Sequence, residues 1–171
     1  MRVTLRKLIP EDACELLKLQ HKLDQESSFM LLEPDERHTG QQMIREMIVN
    51  FEDSESSIFI GAEVEGSLVG YLSLRGGTVR RNRHCGYIVM GIIQEYQGLG
   101  IGKELFREMN EWARAHHITR VELTVMTHNT RALALYTKNG FTIEGTKVKS
   151  LKVDGQYVDE YYMSKIIEES E

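Results

Sequence analysis

At 171 residues, with 41% hydrophobic and 27% charged side chains, the chain is sized for one domain with one continuous core and is composed like an ordinary globular protein. A net charge of −5 and a pI near 5.7 exclude broad nucleic-acid binding, which needs a basic footprint. No run of about 18 apolar residues offers a membrane span. Cys14 and Cys85 are too few and too far apart for a disulfide framework or a zinc site, so no metal is expected and a reducing, cytoplasmic setting is.

The opening residues alternate polar and apolar, unlike the apolar block of a signal peptide, and residues 2–8 read as the first strand. Pro10, Glu11 and Asp12 then open a helix, because proline suits the first turn and acids suit its positive end. Its apolar face carries Ala13, Leu16, Leu17, Leu19 and Leu23. Residues 25–38 break that period, and a second helix follows from about Thr39, with Met43, Ile44, Met47, Ile48 and Phe51 at helical spacing. Three strands in meander come next, over 57–65, 67–76 and 83–93, the first two joined at Glu65-Gly66-Ser67. Arg75, Arg80, Arg81 and Arg83 between the last two read as a solvated hairpin tip.

A helix is expected over 98–117, a strand over 120–126 and a short helix over 129–138 that ends at Asn139-Gly140. Strands over 141–153 and 156–166 close the chain, with Asp154-Gly155 as a type I′ turn signal. Only the tail 168–171 reads as loose. This order describes an α/β fold with a central mixed sheet and helices on both faces.

The stretch Gln97-Gly98-Leu99-Gly100-Ile101-Gly102-Lys103 carries the chemistry. A strand runs into glycines and a helix starts at once, so backbone N–H groups converge where the helix dipole favours an anion. A pyrophosphate is the natural guest. A P-loop is excluded, since Gln97 stands where its first glycine should be and Glu104 follows Lys103. The dinucleotide fingerprint fails too, with Lys103 in the place of its third glycine.

About 30 residues on stands Asn129-x-x-Ala132-x-x-Leu135-Tyr136-x-Lys138-x-Gly140-Phe141. Together with Gln97-x-x-Gly100-x-Gly102, this pattern and the element order resemble the GCN5-related N-acetyltransferase superfamily over essentially the whole chain. The resemblance implies a splayed sheet and acetyl-coenzyme A as cosubstrate, its pyrophosphate on the backbone of Gln97 to Lys103. It implies a pantetheine arm paired with Met90, Gly91 and Ile92, with Asn129 touching it and Lys138 near the cofactor. Tyr136 takes the place of the family's general acid.

The family's two familiar carboxylate positions fall on Gly86 and Thr124, so neither acid is present. His84 is the nearest titratable substitute for a base, with water-mediated deprotonation as the other route. Acidic and aromatic residues of the first helical region (Glu26, Phe29) and of the last hairpin (Asp159, Tyr161) suit a cationic acceptor. The expected acceptor is a small primary amine, such as a polyamine or an amino acid. The alternatives are a peptide N-terminus and an acyl-coenzyme A-binding module with weak catalysis. A homodimer is expected, and neither nucleic acid nor membrane as a partner.

Overall fold

The computed structural model describes residues 1–169; Ser170 and Glu171, half of the tail expected to be loose, lie outside the described residues. Seven strands form one sheet: β1 (Val3–Lys7), β2 (Ile58–Val64), β3 (Ser67–Gly76), β4 (Cys85–Ile92), β5 (Arg120–Met126), β6 (Thr142–Val153) and β7 (Gln156–Ile166). They lie in the order β1-β2-β3-β4-β5-β7-β6. Every neighbouring pair is antiparallel except β4 and β5. The helices are α1 (Ala13–Glu26), α2 (Gln41–Asp53), α3 (Ile101–Ala115) and α4 (Thr130–Lys138).

Successive residues of β4 show that helices cover both faces. A Cβ added at Gly91 would meet Leu23 of α1, while the Ile92 side chain reaches Gly102 of α3. The two point oppositely, as strand geometry demands. β2 is accordingly buried at nearly every position rather than at alternate ones. The core runs from Leu16 and Ile48 through Ile60 and Leu72 to Leu105, Phe106 and Met109.

Turn chemistry follows the glycines. Glu65-Gly66 and Asp154-Gly155 both have positive φ at two successive residues, the requirement of a type I′ hairpin. The tip beyond β3 is exposed over residues 78–84, and the Arg75 guanidinium near the end of β3 lies 4.5 Å above the Phe51 ring. Two helix starts differ from expectation. Pro10–Asp12 forms a separate 3-10 turn before α1, and α3 begins at Ile101 rather than 98, because Gly98 and Gly100 take left-handed backbone that no α-helix contains.

Asp12 fastens this first turn. Its carboxylate accepts from Arg6 Nη1 (2.7 Å), Arg6 Nη2 (2.8 Å) and the Ile9 N–H (2.8 Å). The Arg6 guanidinium above all holds its pKa below the usual carboxylate range. A depressed pKa adds stability above the unfolded value, lost as pH falls through the folded one. Asp12→Asn should cost about 1.5–3 kcal/mol at neutral pH. The deficit should shrink as pH falls below about 4, which urea melts across pH will show.

Candidate active site

β4 is fully paired with β3, from Gly76↔Gly86 to Gly70↔Ile92, but meets β5 only at Cys85↔Arg120, Gly86↔Val121 and Tyr87↔Glu122. Beyond Tyr87 the strands part and leave a wedge. The Ile93 N–H bonds the Val69 carbonyl at 3.0 Å. Antiparallel ladders alternate, so Tyr87, Val89 and Gly91 direct their backbone groups to β3. Met90 and Ile92 turn theirs into the wedge. The expectation that Gly91 shares that duty is corrected by this alternation. Gly91 is required for space, since a Cβ would stand 2.7 Å from Leu23 Cδ1.

The wedge opens onto the glycine loop. Gly98 (φ 75°) and Gly100 (φ 87°) are left-handed with nothing within 4 Å of an added Cβ, so backbone conformation rather than crowding demands glycine there. Gly102 serves packing instead: its missing Cβ would lie 3.0 Å from Leu135 Cδ2 of α4. Among the described residues no side chain caps α3, and Glu104 is the first N–H to reach a carbonyl of this end, that of Gly100. The N–H groups of Ile101, Gly102 and Lys103 therefore lack intrahelical acceptors and face outward with the dipole. Leu99 and Lys103 are exposed beside them.

Gln97 works through its side chain. Its own N–H is held by the Gln94 carbonyl at 3.2 Å. Its Nε2 donates to the Ile92 carbonyl at 2.8 Å, and its Oε1 accepts from Arg131 Nη1 at 2.8 Å. One carbonyl of the open edge is thereby occupied, and the glycine loop is tied to the first turn of α4. Arg131 escaped the sequence reading; its place two residues after Asn129 was the available signal. Asn129 caps α4, its Oδ1 accepting the Ala132 N–H at 3.3 Å, which leaves its amide N–H groups to donate elsewhere. Lys138 is exposed seven residues beyond Arg131, about 10 Å along the helix axis and away from the loop.

Tyr136 is half-buried and wedged between Phe106 and Phe141, with ring centroids 5.9 Å from each. Burial pushes its pKa up to about 12, with Tyr87 and Tyr71 as the next influences. Tyr71, beside Gly91 in the ladder, is likewise pushed up to about 12 by burial.

The other expected residues lie elsewhere. His84 is exposed before the paired end of β4, its carbonyl taking the Thr119 and Arg120 N–H groups, so it stands outside the wedge. Glu26 accepts the Gln94 N–H at 2.9 Å and pins α1 to the turn before the glycine loop. Asp159 accepts the Lys149 N–H at 2.7 Å, across a bulge where Val148, Lys149 and Ser150 face one residue of β7. Tyr161 pairs with buried Val125 and packs on the core. Phe29 packs against His128, just past the end of β5, with ring centroids 5.1 Å apart. The missing carboxylates have structural replacements. A Cβ at Gly86 would come 2.6 Å from Leu74, and the Thr124 hydroxyl pairs with Tyr87 Oη at 2.9 Å.

Comparison with known proteins agrees with this geometry. Residues 17–141 match the family model described as "Acetyltransferase (GNAT) family". The chain is similar to an L-amino acid N-acetyltransferase of Escherichia coli (strain K12), 35% identical over 107 residues, covering 60% of this chain and 64% of that protein. It is also similar to the N-alpha-acetyltransferase RimI of Mycobacterium tuberculosis, 37% identical over 109 residues, 63% of this chain and 65% of that one. The matches thus span just under two thirds of both relatives. A solved GNAT-family acetyltransferase from Streptococcus pneumoniae superposes with a TM-score of 0.93 at 30% identity, over 97% of this chain and all of that one. An open strand edge leading into an uncapped helix start, in a sheet of this order and with these matches, places the chain in the acetyltransferase (GNAT) family.

Proposed function

We propose that the protein transfers the acetyl group of acetyl-coenzyme A directly to the nitrogen of a small primary amine. The observation that carries this reading is the run of free backbone donors from Met90 and Ile92 on the open edge to Ile101–Lys103 at the uncapped start of α3. The two ends of that run suit an extended amide-bearing arm and a diphosphate. Acetyl-coenzyme A supplies the activated thioester. Met90 or Ile92 donates an N–H to the carbonyl oxygen as it gains charge. Tyr136 donates toward sulfur, and Asn129 toward the arm. The segment between α1 and α2 reaches the β5–α4 turn through the contact of Phe29 with His128, which supports a small acceptor over a peptide.

Titration calorimetry with acetyl-coenzyme A should show saturable binding. Thiol release should then be measured across polyamines, amino acids and peptide N-termini, with turnover expected for a small amine. Absence of any uptake would remove the reading. The Gln97–Arg131 tie supports the diphosphate cradle, so Arg131→Ala should raise the KM for acetyl-coenzyme A roughly fivefold, the worth of one hydrogen bond of about 1 kcal/mol. Its kcat should hardly move, because the tie is made equally in ground and transition states.

A further inference from the structure

We propose that the acceptor amine binds in the cavity at the closed end of the β4–β5 wedge, with Tyr87, Thr124 and Glu122 as its partners. This rests on the acetyltransferase reading above and names that reaction's second subsite. The cavity measures about 310 Å³ and lies among β4, β5, β7 and β6. It opens on the face that α1 covers over β4 at Gly91 but leaves bare further out, where Tyr87, Val89 and Tyr162 are exposed.

Position is the first argument. Tyr87 is the last residue of β4 paired to β5, opposite Glu122. The Tyr87 hydroxyl meets that of Thr124, two residues on from Glu122 along β5, which brings the pair to the point where the strands part. A group bound to these hydroxyls therefore sits at the vertex of the wedge, three residues along β4 from the Met90 N–H that would meet the thioester carbonyl.

Chemistry is the second. The two hydroxyls, 2.9 Å apart, offer lone pairs to an ammonium, which has three donors and no acceptor. Glu122 engages Arg120 through Oε2 alone, whereas Glu144 meets the same guanidinium with both oxygens. One guanidinium against two carboxylates leaves one negative charge in excess. Lys147, whose Nζ lies 5.6 Å from the Tyr162 ring centroid, is paired with Glu160 at 3.7 Å and so does not cancel that charge. The ligand class is thus a primary alkylammonium without a carboxylate beside its nitrogen. The competing acids are occupied, Glu26 by the Gln94 N–H and Asp159 by the Lys149 N–H.

In the reaction, one ammonium proton passes to Glu122 and on to solvent. The neutral nitrogen then bonds to the thioester carbon and the C–S bond breaks. The second proton lost by nitrogen balances the one gained by sulfur.

The test uses the full chain, with acetyl-coenzyme A and the most active amine of the panel. Glu122→Gln, Tyr87→Phe and Thr124→Val are assayed for amine KM, kcat, acetyl-coenzyme A affinity and melting temperature. Glu122→Gln should raise the amine KM roughly tenfold or more, the scale of a hydrogen bond to a charged group. Acetyl-coenzyme A affinity and melting should stay as in the wild type. Tyr87→Phe removes one oxygen from a surface residue and keeps the test available should Glu122→Gln disturb Arg120. Wild-type amine kinetics in all three variants, in protein that still binds and turns over acetyl-coenzyme A, would overturn the proposal alone. A wild-type protein that takes up no acetyl-coenzyme A would overturn the acetyltransferase reading and this subsite with it.

Discussion

Tyr136→Phe is expected to lower kcat roughly 10²–10⁴-fold, the usual cost of losing a positioned proton donor, with acetyl-coenzyme A affinity at its wild-type value. The ring is fixed by edge-on contact with Phe106 and by Phe141, and phenylalanine preserves both contacts. Only the oxygen is lost, so folding and cofactor binding have no reason to change. Burial holds the hydroxyl near pKa 12, so it stays protonated through neutral pH and acts there as a donor. It is then a weaker acid than a thiol of about 8.5. In the proposed reaction it hydrogen-bonds sulfur as the C–S bond breaks, with its own proton replaced by the one leaving nitrogen. Any limb of the pH–rate profile below about pH 10 therefore belongs to another group and should survive in the variant. Steady-state kinetics across pH measures both features; unchanged turnover would end the assignment.

The geometry of the candidate site was legible in the sequence where it resides in the backbone. Glycines at 98, 100 and 102 mark a loop whose amides are free, and the structure separates the positive-φ pair from Gly102, which serves α4 packing. Asn129 and Tyr136 came with a motif of fixed helical spacing, and helical spacing survives folding. What escaped depended on pairings distant in sequence. Glu26, 68 residues before Gln94, carries an acid suited to a substrate, yet its carboxylate holds that residue's N–H. Tyr161 and Tyr162 are equivalent in composition; only the register with Val125 and Thr124 decides which faces the core. His84 has the right chemistry, but β4 begins only at Cys85, which leaves it before the paired end. Arg131 needed Gln97, 34 residues earlier, to show its use.

Asp24→Ala should be the most destabilising single change near the site, at about 3–5 kcal/mol, as expected when one partner of a buried ion pair is removed. Asp24 is 2% exposed at the last turns of α1. Its carboxylate takes Arg37 through Nε and, at 3.2 Å, Nη2, while Nη1 reaches Gln20 Oε1 at 3.3 Å. Arg37 belongs to the segment between α1 and α2, the same segment that brings Phe29 to His128. The pair thus anchors a strap over the mouth of the wedge, and without Asp24 the guanidinium is left in a site built to exclude water. A fall in melting temperature of roughly 10 °C follows for a chain of this length. The double change Asp24→Leu with Arg37→Met removes both charges and should recover most of that loss, because the desolvation cost disappears with the attraction. The amine KM then separates the two jobs of the pair: if it stays raised in the restored double variant, the strap's fixed position serves acceptor binding as well as stability. A single variant within about 1 kcal/mol of wild type, the scale of a solvent-screened surface pair, would show instead that the pair is wet and the strap is held by Phe29.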